Sequence, residues 1–481
     1  MMLEAVAGKT GLAATQSRPH AARRLVTGFG AALAAIAGVL LAALLFVLAR
    51  PTSAPAALVP LVETLTGANP RPVTLLMPPD QPMSALARIG ERMFHDPSLS
   101  ASGRQSCASC HSPERSYGPP DARSAELGGP DMKSEGFRPP PSLAYLYRQA
   151  IFSIGPAAEE NDAPPSLSQL AQQAQNTTRA TKSAGTTPAA PAIVPQGGLF
   201  WDGRADTLMD QAKGPMKNPA EMANKDVLEV ARKLRLAGYD RQLEPLFGPV
   251  VVSDPYMLFD EAMSAVSRYQ IEDPAFHHFD SKYDAWLQGK ARLTRAEMRG
   301  MKLFNDPLKG DCAACHLSQP TADGLPPLFT DTEYEALGVP RNPGLVANRD
   351  AGFHDLGLCG PLRTDLSKQT QYCGMFLTPT LRNVARRGVY FHNGVYHDLH
   401  DVMRFYNFRD TEPGRVYPHD ARGRVMKYDD LPRPYWANID VADAPFDRKA
   451  GDKPALTDRD MEDIIAFLGT LDDGYTSGSR Q

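Results

Sequence analysis

The chain of 481 residues is predicted to be mainly α-helical, with two domains of similar plan, long loops between the helices and a transmembrane helix ahead of both. Three observations support this fold class. The motif Cys-x-x-Cys-His occurs at residues 107–111 and again at 312–316, each time after a short helix-like segment that ends in Phe. Strict alternation of apolar and polar residues, which marks a half-buried strand, is rare along the chain. Residues 25–49 contain no charged side chain and consist mostly of Ala, Leu, Val and Ile.

The repeated motif is the attachment signature of a c-type haem. Its two thiols form thioethers with the haem vinyl groups, and the histidine that follows ligates the iron. A bare Cys-x-x-Cys is more often a redox dithiol or half of a zinc site, but here the histidine is present in both copies. The alternatives are two coincidental motifs, or one zinc site that takes ligands from both. We predict two cytochrome c-like haem domains, in which the attachment and axial residues are Cys107, Cys110, His111, Cys312, Cys315 and His316.

Composition and cysteine usage narrow the class of protein. A hydrophobic fraction of 42% is ordinary for a globular chain, and a net charge of -4 argues against a nucleic-acid partner. Of the six cysteines, only Cys359 and Cys373 lie outside the haem motifs. In an oxidising compartment they would form a disulfide that stabilises the fold by roughly 3 kcal/mol. The alternative is two separate buried thiols.

The apolar stretch at residues 25–49 is long enough to cross a bilayer as a helix. It exceeds the core of a signal peptide, which has about 7–15 apolar residues. Three arginines precede it and only Arg50 directly follows, so the positive-inside rule places residues 1–24 in the cytoplasm and the bulk of the chain outside. Bacteria also attach haem to Cys-x-x-Cys-His on that side. We predict a periplasmic protein anchored to the inner membrane, with cleavage near residues 54–57 as the alternative.

The rest of the chain divides by composition. Residues 50–83 are rich in Pro, Thr and Leu and are interpreted as a tether, and residues 84–290 are predicted to form the first haem domain. Residues 153–196 contain no aromatic side chain and bury too little apolar surface to offset their ordering entropy, so we expect a mobile insertion. A short docked helix at residues 166–174 is the alternative. Residues 291–475 are predicted to form the second haem domain.

The ligand at the second axial position of each iron determines whether the haem only transfers electrons or can also bind a substrate. After His111 no histidine occurs until His277, so we expect the first haem to be open and able to bind peroxide. A methionine could still close it, and the candidates are Met132, Met209, Met216 and Met222. Around the second haem we expect six-coordination, and the candidate ligands within one short segment are His392, His397, His400, Met403 and Tyr406.

An ordered series of further motifs gives a family resemblance. The segments are 90–94, 99–100, 200–205, 211, 215, 218–222, 378–383 and 390–394, together with the two haem motifs. This series resembles the bacterial dihaem cytochrome c peroxidase family, whose superfamily includes MauG, over about residues 84 to 470 apart from the insertion. The resemblance implies two haem domains that meet at a calcium ion, with a peroxidatic haem in the first and an electron-transfer haem in the second.

The resemblance also implies roles for individual residues. Trp201 matches the tryptophan between the two haems, and Gln211 and Glu221 match the polar pair over the peroxide site. Glutamate suits this place because cleavage of a peroxide O–O bond needs a proton moved from one oxygen to the other. The alternatives are structural, since Trp201 begins a segment that could be only a turn and Glu221 could be only a helix cap.

Three departures from the family pattern carry information. The histidine that blocks the first haem in peroxidases requiring reductive activation has no counterpart here. Those enzymes have a methionine as the distal ligand of the second haem, whereas this chain has Tyr406 at that position, like MauG. Met403 is the alternative candidate for the same ligand. Tyrosinate favours high oxidation states of iron. Arg387-Gly388-Val389 replaces a Thr-x-Pro motif and Pro139 replaces an asparagine, which puts the calcium ion in doubt.

The expected function is that of a periplasmic dihaem peroxidase. It would reduce hydrogen peroxide to water through high-valent haem iron, with electrons from a small c-type cytochrome or a cupredoxin. The first alternative is a MauG-like enzyme that oxidises residues of a partner protein. The second is a dihaem electron-transfer cytochrome with both irons closed. No oligomeric state follows from the sequence.

Overall fold

The computed structural model describes residues 41–42, 45–79, 81–156 and 193–476. Helices dominate these residues, as the sequence predicts, and the strands are short. The helices are α1 Val59–Thr66, α2 Ala85–Phe94, α3 Cys107–Cys110, α4 Leu208–Lys217, α5 Val227–Leu236, α6 Tyr239–Phe247, α7 Val250–Ser253, α8 Pro255–Glu272, α9 Lys282–Leu287, α10 Arg295–Phe304, α11 Leu399–Phe408 and α12 Asp458–Leu468.

The strands form three separate antiparallel pairs. Strands β1 Leu127–Gly128 and β2 Ser134–Glu135 pair with Leu127 opposite Glu135. Strands β3 Ser153–Pro156 and β4 Ile193–Gln196 pair with Ser153 opposite Gln196, and β5 Tyr334–Glu335 pairs with β6 Phe376–Leu377. The two ends of the predicted insertion 153–196 are thus ordered strands. Its middle, with the alternative helix at 166–174, lies outside the described residues.

Two large clusters of buried apolar side chains organise the structure. The first is built by α2, α5 and α8 with side chains from residues 89–276, and the second by α9, α10 and α12 with side chains from residues 283–471 together with Leu75. Aromatic rings fill both centres, with Phe94 fully buried in the first and Phe304 1% exposed in the second. The exact boundaries of the two haem domains, 84–290 and 291–475, stay a prediction.

The same close helix crossing occurs in both clusters. A Cβ added to Gly90 of α2 would lie 1.9 Å from the carbonyl oxygen of Ala265 in α8, and one added to Gly300 of α10 would lie 1.8 Å from that of Asp463 in α12. No side chain fits at either position, because real Cβ contacts do not fall below 3.0 Å. These crossings fix the two helices that lead into the haem motifs.

Local capping interactions start these helices at the positions that the sequence indicates. Ser84 Oγ accepts a hydrogen bond from Ala87 N at 3.1 Å ahead of α2. Thr294 and Glu297 form a reciprocal capping box ahead of α10, and Thr457 does the same with Asp460 ahead of α12. Each pair satisfies backbone N–H groups that a helix start leaves unbonded.

The segment interpreted as a tether is folded onto the second cluster over part of its length. Helix α1 lies against α10, and Leu75 belongs to the second cluster. Trp286 Nε1 donates to Gly67 O at 3.1 Å, and Leu293 N donates to the same oxygen at 2.8 Å. These hydrogen bonds to the Gly67 carbonyl fix this part of the segment against the second cluster.

The predicted membrane anchor lies almost wholly outside the described residues. Residues 25–40 and 43–44 belong to the undescribed part. Among the residues that the structure describes, no helix is both long and apolar enough to span a bilayer.

We expect Gly90→Ala and Gly300→Ala each to lower the free energy of unfolding by about 2 kcal/mol or more, because each methyl group would force two packed helix backbones apart. Denaturant unfolding of the purified haem-loaded protein, followed by far-ultraviolet circular dichroism, measures this.

Gly469→Ala is the matched control for these variants. Gly469 has φ of -62° and no atom within 4 Å of an added Cβ, so the substitution should be neutral or slightly stabilising. Unchanged unfolding midpoints for Gly90→Ala and Gly300→Ala would contradict the close crossings.

Candidate functional site

The first haem motif lies at the wall of a cavity in the first cluster. Cys107 to Cys110 form the short helix α3, whose start is fixed by Ser106 N donating to Ser109 Oγ at 2.9 Å. The residues that line this cavity with the motif include Gln105, Gln211, Met216, Glu221, Met222 and Gln270. Helix α4 and the loop after it therefore bring Gln211 and Glu221 to the motif from about a hundred residues further along the chain.

Both motif histidines are held as neutral ligands. His111 Nδ1 lies 3.2 Å from Tyr117 O, and His316 Nδ1 lies 2.9 Å from Phe329 O. A carbonyl oxygen only accepts, so Nδ1 carries the hydrogen in each ring and Nε2 keeps its lone pair for a metal. Burial lowers the pKa of both histidines to about 4, so neither is protonated at neutral pH.

The motif cysteines fit covalent attachment rather than a zinc site. They make no disulfide, and burial raises the pKa of Cys107 and of Cys312 to about 12. They are therefore neutral thiols when no group is attached. Within the described ranges, no group of three or more His, Cys, Asp or Glu side chains is placed to hold a metal ion. Two thiols beside a neutral histidine on an apolar wall, in each cavity, suit a c-type haem.

Glu221 and Gln211 both line the first cavity. Gln211 is 5% exposed. Glu221 Oε1 accepts a hydrogen bond from Asn218 Nδ2 at 2.5 Å, and Gly129 N donates to Glu221 O at 2.8 Å. Burial raises the pKa of the Glu221 carboxyl, while the charge of Arg204 and the hydrogen bond from Asn218 oppose this rise. A carboxyl group with a raised pKa beside a histidine-bearing cavity holds a proton more readily than an exposed glutamate does, which suits it to proton transfer.

Two further glutamines line the first cavity and were not predicted. Gln105 Nε2 lies 3.4 Å from Cys110 Sγ, and Gln270 is 3% exposed. Their Oε1 atoms are buried without a hydrogen-bond partner among the described residues. Gln105 is two residues ahead of the motif and could have been noticed, but Gln270 lies on α8 and nothing local in the sequence distinguishes it.

Of the four methionines that could ligate the first haem, two line the first cavity. Met216 and Met222 line the first cavity, and each is 3% exposed. Met132 and Met209 do not line it. An open first haem remains a prediction.

The second motif lines a larger cavity. Tyr406 and Met403 of α11 both face it, and the Tyr406 ring stacks on Phe446 at 5.5 Å between centroids. Burial, with smaller contributions from Cys315 and Cys312, raises the pKa of the Tyr406 hydroxyl, which places that residue close to the second motif. The sixth ligand of the second haem stays a prediction between Tyr406 and Met403.

Of the three histidines that are candidate ligands of the second haem, only His392 lines the second cavity. His392 lines it, with its ring stacked on Phe376 at 3.5 Å between centroids. His397 and His400 are exposed, and His400 pairs with Glu462 at 3.2 Å. These two histidines therefore do not compete for the iron.

Trp201 lies where the two cavities approach each other. It lines the second cavity, and its Nε1 donates to Pro139 O at 3.0 Å. The chain from Pro139 to Ser142 lines the second cavity, and the next residue, Leu143, lines the first. The indole is thus bonded to the strip of backbone that separates the cavities.

Asp202, next to Trp201, shows that this segment is more than a surface turn. Its carboxylate is fully buried and accepts from Arg138 at 2.8 Å and from Arg204 at 2.7 Å. Arg138 also donates to Asp355, at 2.6 and 2.7 Å. Three elements distant in the chain are therefore joined by buried charge.

The remaining two cysteines pair as the sequence predicts. Cys359 and Cys373 form a disulfide with an Sγ–Sγ distance of 2.20 Å and a Cα–Cα distance of 5.0 Å.

Comparison with known proteins places the chain among dihaem enzymes. The family model described as di-haem cytochrome c peroxidase matches residues 84–292. The methylamine utilization protein MauG of Paracoccus denitrificans is 33% identical over 395 residues, which are 81% of this chain and 89% of that protein. The cytochrome c551 peroxidase of Nitrosomonas europaea is 29% identical over 329 residues, covering 66% of this chain and 73% of that protein.

A solved structure shows the same architecture. The diheme peroxidase BthA from Burkholderia thailandensis E264 is 36% identical, with a TM-score of 0.68, and the match covers 82% of this chain and 87% of that one. The fold of this chain is thus similar to that of a diheme peroxidase over most of its length.

We expect Tyr406→Phe to change the optical and electron paramagnetic resonance spectra of the second haem, because it removes the hydroxyl and keeps the ring packing. Met403→Leu is the matched control and should leave those spectra unchanged. A spectral change only in Met403→Leu would assign the ligand to Met403.

Proposed function

Because the chain belongs to the dihaem cytochrome c peroxidase and MauG superfamily, we propose that it reduces hydrogen peroxide to water as a periplasmic peroxidase. The electrons would come from a small c-type cytochrome or a cupredoxin. The observation that supports this most directly is the first cavity, which Glu221, Gln211 and His111 line together.

The balanced reaction consumes one hydrogen peroxide, two protons and two electrons and yields two water molecules. Two c-type haems, attached through the motif cysteines and ligated by His111 and His316, supply the redox chemistry when bound. The protein contributes the ligands, the apolar walls and the groups that hold or move protons.

Glu221 is proposed to move the proton in the first cavity. As a carboxylate it takes a proton from one peroxide oxygen and, as an acid, it returns that proton to the oxygen that leaves as water. Burial raises its pKa, which makes the protonated form more accessible than in an exposed glutamate. Asn218 holds the Oε1 atom, so Oε2 is the oxygen left to face the substrate.

Gln211 is proposed to position the peroxide. Its side chain is buried in the wall of the same cavity, and a neutral amide offers both a donor and an acceptor without competing for the proton. Helix α4 holds it in place, and the Phe200 ring lies against Gly214 on that helix.

Trp201 is proposed to pass charge between the two haems. Support comes from its hydrogen bond to the Pro139 backbone at the strip that separates the cavities. The segment 200–204 also contacts α4 of the first cavity through Phe200. An indole is oxidised more easily than a benzene ring, which suits it to this relay.

A MauG-like oxidation of a partner protein is the second candidate. Tyr406 at the second cavity favours it, since the resemblance aligns this position with the tyrosine of MauG and not with a peroxidase methionine. Steady-state peroxide turnover with a small cytochrome donor distinguishes the candidates, because sustained turnover without a protein substrate supports the peroxidase.

We further propose that residues 25–49 anchor the protein in the inner membrane, with residues 84–290 and 291–475 as the two haem domains outside the cytoplasm. Replacement of residues 1–50 by a cleavable signal should release the haem protein into the soluble periplasmic fraction. Persistence in salt-washed membranes would contradict the anchor.

We expect Glu221→Gln to slow peroxide consumption by about a hundredfold, the usual size of a proton-transfer contribution, with both haems retained. Wild-type activity should fall as the pH drops through the raised pKa of Glu221, above the ordinary value of 4.5, and the variant should lack this limb. Glu244→Gln, on the exposed side of α6, is the control. Turnover of Glu221→Gln within twofold of wild type would make Glu221 structural.

We expect Trp201→Phe to slow the oxidation of the second haem after one equivalent of peroxide and to leave peroxide binding at the first haem unchanged. Stopped-flow spectroscopy in the visible and near infrared measures both steps. Equal rates of second-haem oxidation in the variant and the wild type would reduce Trp201 to a packing residue.

A further inference from the structure

Arg387 occupies an unusual place in the second cavity. Its side chain lines this cavity, and its Nη2 donates to Arg382 O at 3.0 Å. Its other N–H groups make no side-chain hydrogen bond within the described ranges. Asp472 is near enough for its charge to raise the pKa of Arg387, but its ion pair is with Arg386. The neighbouring Arg386, by contrast, is exposed and pairs with Asp472 at 3.5 Å.

The guanidinium of Arg387 carries a positive charge at neutral pH. Burial lowers its pKa to about 10, which is still well above neutrality. The same charge contributes to the low pKa of His316, so Arg387 lies near the histidine of the second haem motif. A fixed cation therefore stands at the wall that bears the second motif.

The two positions where the family resemblance places calcium ligands, Pro139 and the loop 387–389, do not suit a divalent cation. Calcium takes six to eight oxygen ligands, usually carboxylates, carbonyls and amide oxygens. Pro139, which lines the same cavity, has no side-chain oxygen, and its carbonyl already accepts from Trp201. The loop 387–389 replaces a hydroxyl-bearing threonine by an arginine, whose charge repels a metal ion.

We propose that the guanidinium of Arg387 takes the place of the calcium ion expected between the two haem domains, so that this protein needs no calcium. Its unused N–H groups suit carboxylates, and the porphyrin of the second haem supplies such groups. This inference is independent of which reaction the protein carries out.

Metal analysis of the wild-type holoprotein is the first test. Purified from calcium-containing medium, it should hold far less than one calcium per chain, and incubation with the chelator EGTA should leave the optical spectra of both haems unchanged. One calcium per chain, lost to EGTA with a spectral change, would overturn the proposal.

The second test measures the midpoint potential of the second haem by spectroelectrochemistry. A nearby positive charge favours the reduced form, so Arg387→Met should shift this potential downward and Arg387→Lys should keep most of the wild-type value. Arg386→Met is the matched control and should cause no shift. An unchanged potential in Arg387→Met would overturn the proposal, and neither test involves peroxide, so each can fail without affecting the proposed function.

Discussion

The guanidinium of Arg138, between the carboxylates of Asp202 and Asp355, holds the two halves of the molecule in register. Burial alone would raise the pKa of Asp355, but the charge and hydrogen bonds of Arg138 hold it below its ordinary value. A buried ion that loses its partner costs about 3–5 kcal/mol, so the loops that carry these residues cannot separate cheaply. Because Trp201 directly precedes Asp202, the same contact sets the indole against the strip between the cavities.

The two halves solve one packing problem in the same way. Each leads into its haem motif with a helix that starts at a capped Ser or Thr and crosses a second helix at a glycine, Gly90 in the first half and Gly300 in the second. Each then turns the motif histidine so that its Nδ1–H meets a backbone carbonyl. The two halves therefore share these helix and histidine positions, while the other residues that line the two cavities differ.

The two cavities differ in the side chains that line them. The first presents amide and carboxyl side chains, and the second presents Tyr406, Met403 and a wall of aromatic rings. The second cavity also carries the charged side chains of Glu335, Asp355, Asp430 and Arg387, so the two cavities differ in size and aromatic content rather than in overall polarity.

Local signals in the sequence determined the haem motifs, the helix caps at Thr294 and Thr457, the mainly helical class and the pairing of Cys359 with Cys373, since each depends on residues that are close in the chain. The resemblance placed Gln211 and Glu221 before their cavity was known. Only the tertiary structure decided what depends on distant contacts. These features are the Arg138 network, the presence of Gln270 in the first cavity and the packing of residues 59–75 on the second cluster. No local pattern records them, because each needs the burial that forms when separate segments of the chain meet.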